Sequence, residues 1–306
     1  MKRVNVINGA LLLVAILMSA GMTAVISKQT PLEQHAGVRT TQDATGQRVR
    51  VRDYARIVST STVADQVLIQ IIEPERLLAV SAHTLRSQES RPYKDKIGVE
   101  HARDIETIIE LRPDIVFINN FLDRRQVERL KEAGLNVFDL GPMRGLETLV
   151  PNIAQLASVL GVPERGQGLA DQLVQKLDAV SADTPDDEKQ RGLYVGIHGD
   201  RLYGGTVGTS FHDVLVAAGV VDVAAEAGFD GWPAFTNEQL LSLDPPWIIT
   251  NPGTERSLCR HPGFHSLTAC KAGQVRSIDT HLLTDPGLGM LQAAEAVHAA
   301  VYGDGA

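Results

Sequence analysis

The sequence has little of several residue types, and each scarcity excludes a class of protein. Its 306 residues include only two cysteines, too few for a four-cysteine zinc site. Basic residues number 29 against 37 acidic ones, a formal net charge of −8, with no long basic run, so nucleic acid is not an expected partner. Aromatic residues make up only 5%. Apolar residues at 43% and charged residues at 22% exclude a disordered, collagen-like or multi-spanning membrane chain, and allow a sizeable core.

The longest apolar run lies near the N-terminus and has the layout of an export signal. Lys2 and Arg3 precede the apolar stretch Ala10–Met18, and small residues follow it to Ala24. We therefore expect residues 1–24 to be a signal peptide and the exported chain to be soluble. The alternative is an uncleaved segment that tethers the protein to the membrane. A lipid anchor is not expected, because no cysteine lies near the cleavage region.

Apolar periodicity predicts an α/β protein with two lobes. Residues 25–47 are polar and lack periodicity, so we interpret them as a linker or the approach to a first strand. Short apolar runs that suit buried strands then alternate with amphipathic stretches over residues 48–145 and again over 183–306. This rhythm predicts a mostly parallel sheet flanked by helices in each lobe. Residues 146–182 form a long helical segment between the lobes, broken near Gly161.

A helix–proline–strand unit occurs once in each predicted lobe. The stretch Arg112-Pro-Asp-Ile-Val116 has a counterpart in Asp244-Pro-Pro-Trp-Ile-Ile249, and each follows a short helix with a glutamate, Glu106 or Glu238. Proline ends such a helix because it lacks a backbone donor and restricts the residue before it. The two lobes are therefore predicted to be an internal pseudo-repeat.

Five motifs follow one another along the chain: Asp104-Ile-Glu106 with Arg112-Pro-Asp-Ile-Val116, Lys131-Glu-Ala-Gly-Leu135, Gly208-Thr-Ser-Phe211, Trp232-Pro233 with Glu238-Gln-Leu-Leu241, and Ala272–Asp279. In this order they resemble the periplasmic solute-binding proteins that serve ABC importers of iron-siderophores, haem and cobalamin. The resemblance implies two α/β lobes bridged by a single long helix, with a metal chelate held in the cleft between them. It further implies a monomeric periplasmic binder, not an enzyme, that has no cofactor of its own and delivers its solute to a membrane ABC permease dimer. The solute can itself carry iron or cobalt.

Candidate ligand contacts lie in the loops after the predicted strands, because open α/β sheets bind ligands beyond the carboxyl ends of their strands. Aromatic side chains there offer stacking surfaces, and imidazole or phenol groups are able to coordinate iron or cobalt. Taken singly, each could equally be an ordinary surface residue. No protein metal site is expected, since Pro262 and Gly263 prevent His261 and His265 from sharing a helical face. The candidates are His83, Tyr93, His101, His198, Tyr203 and Trp232.

The resemblance also assigns roles outside the cleft. It places Glu106 and Glu238 on the permease-facing surface, where each would pair with a permease arginine. The alternative is that both are solvated carboxylates favoured by the start of a helix. Cys259 and Cys270 are close in sequence, and export to an oxidising compartment would allow them to form a disulfide.

Two other function classes remain open at this stage. An exported hydrolase is one, although Gly208-Thr-Ser-Phe-His212 lacks the second glycine of a nucleophile elbow and Gly204–Gly208 lacks the lysine of a phosphate-binding loop. A sensor or scaffold that keeps the fold without transporting solute is the other.

Overall fold

The structure, a computed structural model, describes residues 39–87, 90–100, 104–119, 124–199, 201–279 and 286–303. The predicted signal peptide, residues 1–24, lies outside these ranges. Within them, no helix is both long enough and apolar enough to cross a bilayer.

The first described elements form a two-stranded sheet of Thr40–Gln42 (β1) and Arg48–Arg50 (β2). Of the two interpretations of residues 25–47, the linker is therefore wrong for the last part, which contains the first described strand. The Asp43 carboxylate accepts hydrogen bonds from the backbone N–H groups of Thr45 and Gln47, both at 2.9 Å. This polar turn lacks apolar periodicity, which is why the sequence pattern does not distinguish it from a linker.

The first lobe is built on a five-stranded parallel sheet in the order β5-β4-β3-β6-β7. The β–α alternation makes every connection a crossover, so the carboxyl ends of all the strands share one edge. The strands are β3 Ile57–Ser59, β4 Leu77–Ser81, β5 Ile97–Val99, β6 Ile115–Ile118 and β7 Val137–Asp139, and the helices are α1 Thr62–Ile71, α2 Ala82–Arg86, α3 Ile105–Glu110 and α4 Arg124–Glu132.

The second lobe combines a parallel sheet, in the order β11-β8-β13-β14, with a small antiparallel sheet, β12-β10-β9. The sequence pattern did not predict the antiparallel sheet. The strands are β8 Gln190–Tyr194, β9 Gly196–His198, β10 Arg201–Tyr203, β11 Val220–Asp222, β12 Ala234–Phe235, β13 Trp247–Thr250 and β14 Val275–Ser277. The helices are α7 Ser210–Ala217, α8 Val223–Glu226, α9 Asn237–Leu243, α10 Thr254–Arg260, α11 Thr268–Ala272 and α12 Met290–Tyr302.

The two parallel sheets repeat one topology, as the helix–proline–strand unit predicted. The order β4-β3-β6-β7 of the first sheet corresponds strand by strand to β11-β8-β13-β14 of the second. In both, a helix with a first-turn glutamate leads into the equivalent strand, α3 into β6 and α9 into β13. Within the described ranges, the non-glycine residues with positive φ are Arg112 (45°) and Asp244 (36°), which each precede the proline of that unit.

The connection between the lobes consists of two helices, Leu146–Val159 (α5) and Pro163–Val180 (α6). Gly161 adopts a φ of 74°, a left-handed conformation that costs glycine little, and Pro163 then starts the second helix. The α/β fold class is confirmed, but the single long connecting helix implied by the resemblance is replaced by this pair.

One continuous apolar core joins both lobes through these helices. It includes Phe117 of the first sheet, Tyr194 of the second, Leu156 of α5, Leu173 of α6 and Met290 of α12. Two smaller cores cover the outer faces of the sheets, one beneath α3 and α4 and one beneath α8 to α11. Each sheet therefore has one face against the shared helices and the other against its own helices.

A polar contact fixes the start of α5 against the second lobe. The backbone N–H of Leu146 donates to the Asp213 carboxylate at 2.6 Å, and the N–H of Ser210 donates to the carbonyl of Arg144 at 2.5 Å. A Cβ atom at Gly145 would collide with the Asp213 carboxylate and lie 2.9 Å from the Ser210 nitrogen, so this approach requires glycine. Burial raises the pKa of Asp213.

Replacing Asp213 with alanine should destabilise the protein by about 1 kcal/mol, because α5 loses the acceptor that caps its N-terminus. Urea unfolding measures the change, with Asp178→Ala on the exposed face of α6 as the control. Equal stability of the two variants would show that Asp213 does not cap α5.

Candidate functional site

Serines occupy the carboxyl edge of the first sheet. Ser59 ends β3 and Ser81 ends β4. Ser61 accepts a hydrogen bond from the Ala64 N–H at 3.3 Å and Ser81 accepts one from the His83 N–H at 3.2 Å, so each caps the helix that follows. These hydroxyls are buried and stabilise the starts of the two helices.

A buried carboxylate, Asp65 of α1, lies beneath this edge. Its Oδ2 atom accepts hydrogen bonds from the Ser81 N–H at 2.9 Å and the Thr84 hydroxyl at 2.6 Å. Its side chain is fully buried and Oδ1 has no partner within the described residues. Burial outweighs the hydrogen bonds and raises the pKa of Asp65 from 3.8 to about 7.

Replacing Asp65 with asparagine should flatten the pH dependence of stability. Because folding raises this pKa, the native state binds the proton more tightly than the unfolded chain, so the contribution of Asp65 falls as the pH rises from 3.8 to about 7. Asparagine keeps an acceptor for Ser81 and Thr84 but carries no titrating proton. The free energy of unfolding, measured in urea across that pH range, should fall less for Asp65→Asn than for wild type. The control Asp178→Asn should match wild type. If the free energy of unfolding depended on pH in the same way for wild type and Asp65→Asn, Asp65 would not have a raised pKa in the native state.

Two of the first-lobe candidates from the sequence, His83 and Tyr93, differ in burial. His83 lies on α2, directly after β4, and is exposed. Tyr93 is 4% exposed, belongs to the shared core, and donates a hydrogen bond from its hydroxyl to the Asp65 carbonyl at 3.2 Å. The expectation that Tyr93 contacts solute is therefore corrected, since its ring and hydroxyl are both used in packing. His101 lies outside the described residues.

The second-lobe candidates are on and beside the antiparallel sheet. His198 is exposed and is the register partner of Arg201 across the β9–β10 turn. Tyr203 is half-buried, and its ring covers Gly196, where a Cβ would meet ring atoms. Tyr203 also lies edge-on to Tyr194, with ring centroids 6.5 Å apart.

Tyr194 is a residue of this edge that the sequence pattern did not single out. Its ring stacks on Phe211 at 4.0 Å between centroids, and its hydroxyl donates to Asn251 Oδ1 at 3.3 Å. Burial raises the pKa of Tyr194, so it stays a neutral phenol and a hydrogen-bond donor at this edge of the sheet. A tyrosine at the end of a buried strand was the signal available in the sequence.

Two exposed apolar side chains lie on adjoining loops of the second lobe, and we call them the apolar platform: Val207 and Trp232. They are 44% and 53% exposed. The loops are held together because the Thr206 N–H donates to the Gly231 carbonyl and the Gly231 N–H donates to the Val207 carbonyl, both at 2.9 Å. Trp232 is one of the ligand contacts predicted from the sequence. Val207 is not among them, and it lies in Gly204–Gly208, the glycine-rich stretch that lacks the lysine of a phosphate-binding loop.

A buried network supports these loops. Asp222 caps α8 through the Ala224 N–H at 3.0 Å, and also accepts hydrogen bonds from the Thr206 hydroxyl at 2.5 Å and from His212 Nδ1 at 2.8 Å. The hydrogen bond to Asp222 raises the pKa of His212. Oδ1 of Asp222 thus caps α8, while Oδ2 holds Thr206, in the loop before α7, and His212 of α7.

The described residues contain no group of three His, Cys, Asp or Glu side chains able to hold a metal ion. His261 stacks on Phe264 at 4.4 Å between centroids. Cys259, on α10, and Cys270, on α11, are joined by a disulfide with Cα atoms 5.5 Å apart. This bond links two neighbouring helices on the outer side of the second sheet.

Glu106 and Glu238 occupy matching places in the two lobes. Each is the second residue of its helix, α3 or α9, and each is exposed. The backbone N–H of Glu238 itself and the Thr236 hydroxyl lower the pKa of Glu238. Glu106 lines a surface depression of about 390 Å³ between α3 and α4, together with Asp104, Ile105, Thr107, Arg129 and Glu132. The helices that enter equivalent strands thus present one carboxylate each at the carboxyl edges of the two sheets.

Residues 57–282 match the sequence family described as periplasmic binding protein. The chain belongs to this family. The match starts at β3 and extends past β14, so it covers both lobes. The members are binding proteins, which agrees with the prediction of a binder over an enzyme.

Relatives of this binding protein were found by sequence and by structure. An uncharacterised ABC transporter substrate-binding lipoprotein of Bacillus subtilis (strain 168) is 22% identical over 99% of both chains. A cobalamin-binding protein of Halobacterium salinarum is 22% identical over 76% of this chain and 65% of its own length. The apo structure of a periplasmic haem-binding protein from Roseiflexus sp. RS-1 matches 81% of this chain and 97% of that one, with a TM-score of 0.66 and 20% identity.

Proposed function

We propose that this chain is the exported solute-binding component of an ABC importer, which captures a metal chelate between its lobes and delivers it to a membrane permease dimer. The observation that carries the proposal is the meeting of the two carboxyl edges. Arg144 follows β7 of the first sheet, Ser210 starts the helix that leads into β11 of the second, and the two are hydrogen-bonded. The loop after β7 and the loop before α7 therefore meet at the carboxyl edges of the two sheets. Because α/β sheets bind ligands beyond that edge, this contact supports a solute site between the lobes.

The chemistry of the edges favours a chelate with a planar, partly apolar face. The apolar platform supplies an exposed indole and a valine, and exposed tryptophan is a frequent energetic centre of binding sites. His83 and His198 supply exposed imidazoles at the edges of the two lobes. The cobalamin and haem bound by the relatives named above support a corrinoid or haem, with an iron-siderophore as the third member of the class.

Export is part of the same proposal. The predicted signal peptide would deliver the chain to the periplasm, free or tethered by an uncleaved N-terminus. The disulfide between Cys259 and Cys270 supports an oxidising compartment, since such bonds persist there and are rare in the cytosol.

Absorbance titration of the purified exported chain with haemin, cyanocobalamin and a ferric siderophore tests the function. One of the three should bind with micromolar or tighter affinity and raise the thermal midpoint. Failure of all three to bind or to shift the midpoint would reject chelate capture and favour a sensor or scaffold of the same fold.

Replacing Trp232 with alanine should weaken binding of that chelate about thirtyfold, because loss of a central aromatic contact costs about 2 kcal/mol. The Trp232→Ala variant should be as stable as wild type, since the Trp232 side chain is 53% exposed. The control is Val216→Ala, which removes a 52% exposed side chain from the far end of α7. An affinity equal to that of the control would remove Trp232 from the site.

The docking role of Glu106 and Glu238 belongs to this proposal. Reversing both charges, Glu106→Arg with Glu238→Arg, should abolish uptake of the chelate by cells and leave its affinity in solution intact, because charge pairs orient an encounter without forming the cleft. The control, Glu164→Arg with Glu295→Arg, changes two exposed helical glutamates by the same charge. Normal uptake by the first variant, or loss of chelate binding in solution, would contradict docking.

A further inference from the structure

We infer that each docking glutamate is joined by an apolar docking contact one helical turn further along: Ile109 beside Glu106 and Leu241 beside Glu238. We call each of these two pairs a docking patch. The inference rests on the proposed function and adds to it which side chains, besides the carboxylates, the permease contacts.

The two docking helices carry the same pattern of burial. Ile108 and Leu240, two residues after the glutamates, are fully buried. The next residues, Ile109 and Leu241, are 39% and 36% exposed. A buried aliphatic residue followed by an exposed one therefore occurs at the same distance from each glutamate.

Helix geometry places the exposed aliphatic side chain next to the carboxylate. Residues three apart on a helix are surface neighbours. Glu106 with Ile109, and Glu238 with Leu241, have this spacing on α3 and α9. Each patch thus combines a negative charge and an apolar contact on one face.

The exposed aliphatic residue recurs at equivalent positions of the two lobes, which chance alone does not explain. Single exposed aliphatic residues are common and need no explanation. Here two of the large exposed apolar residues of the described ranges fall at topologically equivalent positions, although the neighbouring residues differ: Thr107 corresponds to Gln239. Two copies of one patch on a single chain match a partner that presents one surface twice, as a two-fold symmetric permease does.

The charges of the patches favour a cationic partner. Beside Glu106, the depression of about 390 Å³ is lined by three carboxylates and Arg129, a setting suited to an arginine from outside. Association of two copies of this chain would bring glutamates together in proteins that each carry a net charge of −8, which disfavours self-association. We therefore assign both patches to the permease, each against an arginine flanked by apolar side chains.

The test measures binding of the exported chain, fluorescently labelled, to spheroplasts of the source cell at several salt concentrations. The variants are Ile109→Ser and Leu241→Ser, singly and together, with the corresponding alanine variants as milder changes. The controls are Ile97→Ser and Val216→Ser, whose side chains are 44% and 52% exposed at the amino edges of the two sheets. Thermal melts and chelate titrations accompany every variant.

Each serine substitution in a patch should weaken spheroplast binding about tenfold, as expected for losing a buried aliphatic contact. The dependence on salt should stay that of wild type, because apolar contacts are not screened. The glutamate variants should instead flatten the salt dependence. Chelate affinity and thermal midpoints should not change, and the controls should bind spheroplasts like wild type.

Three outcomes would overturn the inference. If the glutamate variants lose binding while the Ile109 and Leu241 variants match the controls, docking is purely electrostatic and the proposed function still stands. If wild type does not bind spheroplasts at all, docking itself fails and the proposed function fails with it. If wild type dimerises in solution and the patch variants break the dimer, the patches contact a second copy of this chain.

Discussion

Burial of two parallel sheets against one set of helices is the constraint on which the rest of this structure depends. The helices α1, α5, α6, α7 and α12 contribute to a single apolar core that also includes strand residues from both lobes. Since burial of apolar surface is the main force in folding, neither sheet can be exposed on its inner face without a large cost. The two carboxyl edges are consequently held at fixed places on a common scaffold.

Hydrogen bonds then set the local alignment that the apolar core cannot. The core is non-directional, whereas the contacts of Asp213 with Leu146 and of Ser210 with Arg144 join named atoms of the two lobes. A further bond from the Leu288 N–H to Gln66 Oε1, at 2.8 Å, joins the loop before α12 to α1. These bonds join atoms of the two lobes and so fix how the lobes are aligned.

The buried polar residues of the scaffold differ in role from the exposed apolar residues of the proposed binding surfaces. Ser59, Ser81, Asp65 and Asp222 are polar but buried, and their hydrogen bonds hold helix starts and loops. The apolar platform and the docking patches have the opposite character, with apolar side chains partly in water. A buried polar group with partners stabilises the scaffold, whereas an exposed large apolar group gains free energy only when something covers it.

The sequence by itself determined the α/β class, the equivalence of the two lobes and the positions of Glu106 and Glu238, because periodicity and proline placement are local properties that the backbone must obey. It could not separate Tyr93 from Trp232, since both are aromatic residues in segments between strands, nor find Val207 in a glycine-rich loop. It also could not distinguish the turn around Asp43 from a linker. Only the tertiary structure decided these points, because the burial of a loop side chain depends on elements distant in sequence: Tyr93 is enclosed by the core around Asp65, while Trp232 is held outward by a loop bonded to residues 206 and 207.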